Sequence, residues 1–328
     1  MLIPRFWSRA ESQAVTPDGK PVRFHVWRGS RNSAAEAQAL ADEAVARIAE
    51  RVRRGAGFPE RYAYGDRPLR EEVVRELPGS AGADAPDAAI TRNSYGALVL
   101  NAARAFFIDV DVDGADAEPR PQQQASQPAA PAQSLWGLVD SLPLPGSLKS
   151  IVDTFRPPAS SGGGTAAPPP RSAGGDPTSA AIDRLRRFVA ARPGWRVRVY
   201  RTYAGLRYLV THAPFSPTDG EVQTTMAALG TDPQYVRLCQ VQKSFRARLT
   251  PKPWRIGVPN PPVGFPYEDA GEERALREWA VRYDAASAGR STCAFLEEIG
   301  SGSEHPDVAP IRALHDEQTR ATSGLPLA

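Results

Sequence analysis

The chain has 328 residues, of which 41% are hydrophobic and 23% are charged, and its formal net charge is +3 at pH 7. These values are ordinary for a folded protein, and they exclude a fully disordered chain, a collagen-like chain and a membrane bundle. The charge is unevenly distributed, because residues 183–258 hold 14 basic and four acidic residues, whereas residues 267–328 hold six and twelve. A basic middle indicates an anionic partner, unless the many arginines only reflect codon usage.

Cysteine and histidine usage narrows the possible chemistry. Two cysteines cannot form a disulfide scaffold, and the four histidines lack the spacing of a zinc site. A reducing compartment is the simplest expectation. The first residues lack the apolar core of a signal peptide, and charged residues interrupt the longest apolar stretch, 97–112. We therefore expect a cytoplasmic protein that makes no membrane contact.

The N-terminal part of the chain combines strand and helix patterns. Residues 22–27 alternate in polarity, which predicts a strand. Ser33 followed by Glu36 has the pattern of a helix-capping box, and Gly55 is expected to end that helix. A shorter helix is predicted over 67–77.

The composition changes after the next pair of elements. Two strands are predicted within 88–112, and the apolar run 105–112 is typical of a central strand that is buried on both faces. Residues 113–180 are rich in proline, alanine and glycine, and such a segment cannot bury enough apolar surface to fold. We interpret it as a flexible insertion, in which 135–155 is apolar enough to dock to a protein partner.

Regular patterns return in the second half of the chain. A helix is predicted from Thr178 to Pro193, and a β-hairpin is predicted over 195–211. The remaining predictions are helices over 217–229, 269–286, 291–299 and 307–321, and a strand over 244–250. Hairpins mixed with helices on both sides of the insertion predict an α+β fold. We expect a mixed or antiparallel sheet with flanking helices, built as one sheet from both sides of the insertion.

Four segments follow from this organisation. They are an N-terminal α/β half ending in the acidic strand (1–112), the insertion (113–180), a basic β-rich half that completes the same core (181–266) and a helical, acidic C-terminal region (267–328). The first and third segments are expected to share a core because neither has enough strands for a stable core of its own.

An acidic pair ends the apolar strand. Asp109 and Asp111 lie two residues apart, so both side chains project from one face of the strand. Such carboxylates repel each other, and Mg²⁺ or Mn²⁺ relieves the repulsion while it keeps positions open for phosphate oxygens. The pair therefore predicts a catalytic metal site, whereas the alternative is a strand that simply ends in solvent. No third acid completes the site, because Asp219 and Asp232 lie in or near predicted helices.

The hairpin turn is a candidate phosphate site. The Thr202 hydroxyl, the amides around Gly205 and the Arg207 guanidinium are donors of the kind that hold phosphate oxygens. The alternative is an ordinary hairpin with an exposed arginine.

The predicted strand 244–250 supplies a second basic candidate. Arg246 and Arg248 project to the same face of this strand. With Lys252, Trp254 and Arg255 they form a basic strip with an aromatic side chain, which is typical of nucleic-acid surfaces. The alternative is a solvated face of the sheet.

These motifs together resemble those of a known enzyme family. An apolar strand ending in Asp109-x-Asp111, followed by a hairpin of the form Thr202-x-x-Gly205-x-Arg207, resembles the archaeo-eukaryotic primase (primase-polymerase) superfamily. The resemblance implies that the two acids bind the catalytic metal and that the hairpin binds the phosphates of an incoming nucleotide. Arg207 stands where the family usually has histidine, and the family's third acid has no counterpart here.

Three functions stay open at this point. The first is metal-dependent nucleotidyl transfer on nucleic acid and nucleoside triphosphates, with Arg207, Arg246 and Arg248 neutralising the triphosphate. The second is non-catalytic nucleic-acid binding on a related scaffold, which the missing third acid favours. The third is a protein-interaction adaptor that docks through 135–155 and the acidic C-terminal region.

Overall fold

The computed structural model describes residues 1–56, 69–77, 87–112 and 176–328, which form one compact unit. The strands are β1 (Phe6–Val15), β2 (Pro21–Ser30), β3 (Glu72–Leu77), β4 (Ala88–Arg92), β5 (Leu98–Ala102), β6 (Phe106–Asp111), β7 (Arg196–Thr202), β8 (Gly205–Val210), β9 (Phe245–Arg248) and β10 (Cys293–Gly300). The helices are α1 (Ala34–Arg53), α2 (Pro177–Ala190), α3 (Gly220–Leu229), α4 (Pro233–Gln242), α5 (Ala270–Ser287) and α6 (Ala309–Thr319), with a 3₁₀ turn over Pro253–Ile256. Helices and antiparallel sheets together confirm the predicted α+β class.

The predicted insertion lies almost wholly outside the described residues. Its docking segment 135–155 lies entirely outside them, and the only described part of 113–180 is its end. There α2 begins at Pro177, with Asp176 as its N-cap, so the helix starts slightly earlier than expected.

The N-terminal hairpin of β1 and β2 packs on α1, and the predicted strand and helix in this region are confirmed. Ser33 Oγ accepts a hydrogen bond of 3.1 Å from the Glu36 N–H, as an N-cap should. The Glu36 carboxylate, however, accepts hydrogen bonds from Ser30 and Asn32 instead of closing the predicted capping box. Gly55 follows the helix with a φ of +75°, which agrees with its predicted role as the stop.

The acidic strand β6 lies at the edge of a four-stranded sheet with the order β10-β7-β8-β6. The predicted burial on both faces is confirmed, since Phe106, Phe107 and Ile108 have no exposed surface. Its predicted central position is wrong. The strand is buried at an edge because side chains of a second sheet pack against it, with the rings of Phe106 and Phe245 4.9 Å apart.

The second four-stranded sheet has the order β3-β4-β5-β9. In the first sheet β6 pairs with β8, and in the second β5 pairs with β9, so each sheet joins strands from both sides of residues 113–175. The expectation of a single shared sheet is therefore wrong. Residues 88–112 contain three strands where two were predicted, because β4 and β5 form a hairpin of their own before β6.

Two predicted helices are strands in the structure. Within 67–77, residues 72–77 form β3, and within 291–299 most residues form β10. Both segments contain leucine and glutamate, which are good helix formers, but intrinsic helix propensity is only a weak preference. Pairing with a neighbouring strand outweighs that preference. In β10, for example, Glu298 lies opposite Arg198 and accepts hydrogen bonds from it and from Arg196 at 2.7 and 2.6 Å.

The remaining predicted elements are confirmed as the β7–β8 hairpin, β9, α2, α3, α5 and α6, whereas β1 and α4 were not predicted. One hydrophobic core joins buried side chains of both four-stranded sheets with those of α2, α3, α4 and α6. Among the described helices, none combines the length and the apolar composition needed to cross a membrane.

Candidate functional site

The candidate site lies where β6 ends beside the start of β8. The antiparallel register places Asp109 opposite Arg207 and Asp111 opposite Gly205. Arg207 donates from Nε to Asp109 Oδ1 at 2.8 Å and from Nη2 to Asp109 Oδ2 at 3.1 Å. Arg207 is only 2% exposed. The two residues therefore form a bidentate ion pair with the cation on the buried side.

The buried side of Arg207 meets a backbone carbonyl and an imidazole. Nη1 donates to the Arg248 carbonyl oxygen at 3.0 Å and lies 3.4 Å from His315 Nε2. A guanidinium can only donate, so Nε2 is the accepting nitrogen of the ring and Nδ1 carries the proton. Nδ1 lies 3.2 Å from Asp316 Oδ1, which accepts that proton's hydrogen bond.

The protonation states of Arg207 and His315 depend on their burial and on the charged groups next to them. Burial by itself lowers the pKa of Arg207, but the charge of Asp109 and its hydrogen bonds raise that pKa above its ordinary value. Burial lowers the pKa of His315 to about 4. At neutral pH, Arg207 is therefore a cation and His315 is a neutral ring.

Asp111 is exposed at the end of β6, and its carboxylate stands among other charges. Partial burial raises its pKa, and the charges of Asp109 and Asp232 raise it further, while Lys252 and Arg248 oppose them. Asp232 was set aside in the sequence because it lies near a predicted helix. In the structure it is the N-cap of α4, a helix that was not predicted, and its Oδ1 accepts a hydrogen bond from the Gln234 N–H at 3.0 Å. The fold nevertheless brings its charge to the acidic pair.

The two arginines of β9 have opposite environments. Arg246 is 9% exposed and donates two hydrogen bonds to the Glu71 carboxylate, at 2.7 and 3.0 Å, and a third to Asn101. Arg248 is half-buried, its Nε is inaccessible to solvent, and no described residue accepts a hydrogen bond from that nitrogen. Arg246 is therefore not available on the predicted basic strip, because it forms an internal ion pair, whereas Arg248 remains part of that strip.

Of the two small residues of the predicted hairpin motif, Gly205 lies opposite Asp111, whereas Thr202 lies on β7, which β8 separates from β6. A Cβ on Gly205 would lie 2.1 Å from the Val110 carbonyl oxygen, so glycine is needed for the close approach of β8 to β6. Thr202 ends β7, is half-buried and lies opposite Cys293 of β10.

Basic and aromatic side chains flank Asp111 on the side of the 3₁₀ turn. The Arg255 guanidinium lies 3.8 Å above the Tyr203 ring, and Lys252 Nζ lies 5.3 Å from the Trp254 ring centroid. Tyr203 is 49% exposed at the tip of the β7–β8 hairpin. We call these four residues with Arg248 the basic–aromatic surface. Tyr203 was not singled out in the sequence, where it reads only as a turn residue.

The side chains that the structure describes do not form a complete site for a resident metal ion. Within residues 1–56, 69–77, 87–112 and 176–328, no group of three or more His, Cys, Asp or Glu side chains could hold one. Both oxygens of Asp109 are already used by Arg207. Among the residues that the structure describes, the acidic pair thus offers a cation one unpaired carboxylate, that of Asp111.

A cysteine nucleophile does not fit either, although Cys293 and His315 are neighbours. The Cys293 sulfur lies 3.9 Å from His315 Nε2, and the other nitrogen of that ring, Nδ1, lies 3.2 Å from Asp316 Oδ1, which gives the order of a Cys-His-Asp triad. Burial, however, raises the pKa of Cys293 to about 11, and the residue has no exposed surface. A protonated, inaccessible thiol is inert.

Comparisons with family models, with curated proteins and with solved structures each found no match.

Proposed function

We propose that the protein binds nucleic acid without catalysing a reaction on it, through the basic–aromatic surface beside Asp111. The observation that carries this proposal is the half-buried Arg248, whose side chain has no hydrogen-bond or ion-pair partner among the described residues. Such an arginine can bind a phosphate oxygen through the part of its side chain that solvent reaches, and guanidinium groups bind phosphate well.

The neighbouring side chains favour nucleic acid over a small anion. Lys252 and Arg255 add positive charge next to Arg248, and Tyr203 and Trp254 add aromatic rings. Phosphates contact the cations while bases stack on rings, which is the usual combination on nucleic-acid surfaces. Arg246 and Arg207 play no part in this proposal, because their guanidinium groups are held by Glu71 and Asp109.

Binding should be strongly salt-dependent, and Arg248→Ala should weaken it. With about three phosphate contacts, raising the salt from about 50 to 200 mM should weaken affinity roughly 20- to 40-fold. Arg248→Ala should weaken binding about tenfold for every sequence and lower the salt slope by about one. The measurement is fluorescence anisotropy of labelled oligonucleotides at several salt concentrations.

Arg47→Ala is the matched control, because Arg47 is an exposed arginine on α1, away from the basic–aromatic surface. It should leave both affinity and salt slope unchanged. No binding at low salt, or equal losses in the two variants, would contradict the proposal.

The competing proposal is metal-dependent nucleotidyl transfer, with Mg²⁺ or Mn²⁺ arriving on a nucleoside triphosphate. It is favoured by the charges of Asp109 and Asp232, which act together on Asp111 and which a cation would offset. Mg²⁺ is often bound by one or two carboxylates together with substrate phosphates.

Under the competing proposal, Mn²⁺ with a nucleoside triphosphate should raise the melting temperature of the wild type by several degrees, because ligand binding stabilises the native state. Asp111→Asn should abolish that shift together with nucleotide incorporation on a primed template. Arg47→Ala, at an exposed position on α1, is the control and should leave both the shift and the incorporation unchanged. A wild type that shows neither the shift nor incorporation would contradict the competing proposal.

A further inference from the structure

We propose that Arg207 is the permanent counterion of Asp109, and that this guanidinium takes the place of a shared metal ion in the acidic motif. Both oxygens of Asp109 accept hydrogen bonds from Arg207, at 2.8 and 3.1 Å. The proposal concerns the acidic motif alone and does not depend on nucleic-acid binding by Arg248.

Arg207 cannot easily be displaced by an incoming cation. Its side chain is 3% exposed, whereas that of Asp109 is 34% exposed, so the ion pair is anchored from the protein interior. Releasing Asp109 to a metal ion would leave the guanidinium charge buried and unpaired, which is strongly unfavourable.

On the side of Arg207 that faces away from Asp109, a series of hydrogen-bonded polar side chains holds the guanidinium in place. Nη1 faces His315, which donates through Nδ1 to Asp316. Asp316 in turn accepts from the Tyr200 hydroxyl at 2.6 Å and from Arg198 Nη2 at 2.9 Å. These contacts run from α6 to β7 and keep the guanidinium fork directed at Asp109. His315 is therefore a positioning residue for Arg207.

Asp111 differs from Asp109 in every one of these respects. It is exposed, and among the described residues its side chain forms no hydrogen bond or ion pair. The two carboxylates of the motif thus have different roles, one bound internally and one open to solvent. In a site where both carboxylates bound the same metal ion, both would need oxygens that are free to coordinate it.

This difference can be measured by replacing each acid with its amide. Asp109→Asn leaves Arg207 buried without its counterion, so the melting temperature should fall by on the order of 10 °C. Asp111→Asn removes an unpaired negative charge and should leave the melting temperature unchanged or raise it by about 1–2 °C. In a metal site without its ion, both substitutions would relieve repulsion, so equal rises in the two variants would overturn the proposal.

The ion pair itself is tested by rescue. Arg207→Met alone should also lower the melting temperature, whereas the double variant Asp109→Asn with Arg207→Met should recover much of the loss, because no charge is left unpaired. Additive losses in the double variant would mean that the two residues act separately, against the proposal.

A second measurement covers the case in which the Asp109 variant does not fold. The free Mn²⁺ signal in electron paramagnetic resonance should show no binding of Mn²⁺ alone to the wild-type protein at up to millimolar concentrations. Stoichiometric binding to the wild type that Asp111→Asn abolishes would show that the motif holds a metal ion, and would overturn the proposal whatever the Asp109 variant does.

Discussion

Arg246→Ala should destabilise the protein by about 3–5 kcal/mol, because it removes one partner of a buried ion pair. Arg246 and Glu71 are 9% and 7% exposed, and two hydrogen bonds of 2.7 and 3.0 Å join them. Without the guanidinium, the Glu71 carboxylate keeps only the hydrogen bond from the Thr91 hydroxyl, at 2.6 Å, among the contacts that the structure describes. The free energy of unfolding, measured by urea denaturation, tests this expectation.

Arg248→Ala is the matched control for Arg246→Ala, because it changes the same residue type two positions further along the same strand. It should change the free energy of unfolding by less than about 1 kcal/mol, since Arg248 forms no buried ion pair among the described residues. The two variants should therefore differ in the property that each one changes. Arg246→Ala should lower the free energy of unfolding, and Arg248→Ala should weaken nucleic-acid binding. A small loss in Arg246→Ala would mean that the ion pair with Glu71 contributes little.

Acidification from pH 6.5 to pH 4 should remove about 3 kcal/mol of stability through His315 alone. Burial lowers the pKa of this ring to about 4 from an ordinary 6.5. Between these values the unfolded chain takes up a proton that the native protein does not, so the free energy of unfolding falls as the pH falls. The contribution is complete above pH 6.5. The titratable and charged groups around the ring are Arg207 on β8, Cys293 on β10, Tyr200 on β7, Asp316 on α6 and Asp109 on β6.

His315→Gln is the control for this pH dependence. Glutamine can accept from Arg207 but does not titrate, so the variant should lose the extra pH slope between 6.5 and 4 even if it is less stable overall. The measurement is a series of urea unfolding curves across this range for both proteins. If the free energy of unfolding falls by the same amount between pH 6.5 and pH 4 in wild type and variant, His315 does not keep its neutral form in the native state.

Local sequence patterns were enough to predict the elements that carry the site. The apolar run before Asp109 predicted a buried strand, the turn before Gly205 predicted a hairpin, and both are present. These patterns depend on periodicity and turn chemistry within about ten residues, which a single sequence contains. The antiparallel register of β6 and β8 then places Asp109 opposite Arg207.

The sequence by itself therefore determined the α+β class, the buried acidic strand and its hairpin, together with the concentration of basic residues in the middle of the chain. The tertiary structure decided which basic residues are available, because Arg246 meets Glu71 from 175 positions away while Arg248 meets no such partner among the described residues. It also decided that β10 is a strand and that His315, 108 positions from Arg207, lies behind it. Strand pairing and buried ion pairs join residues far apart in the chain, so no local pattern encodes them.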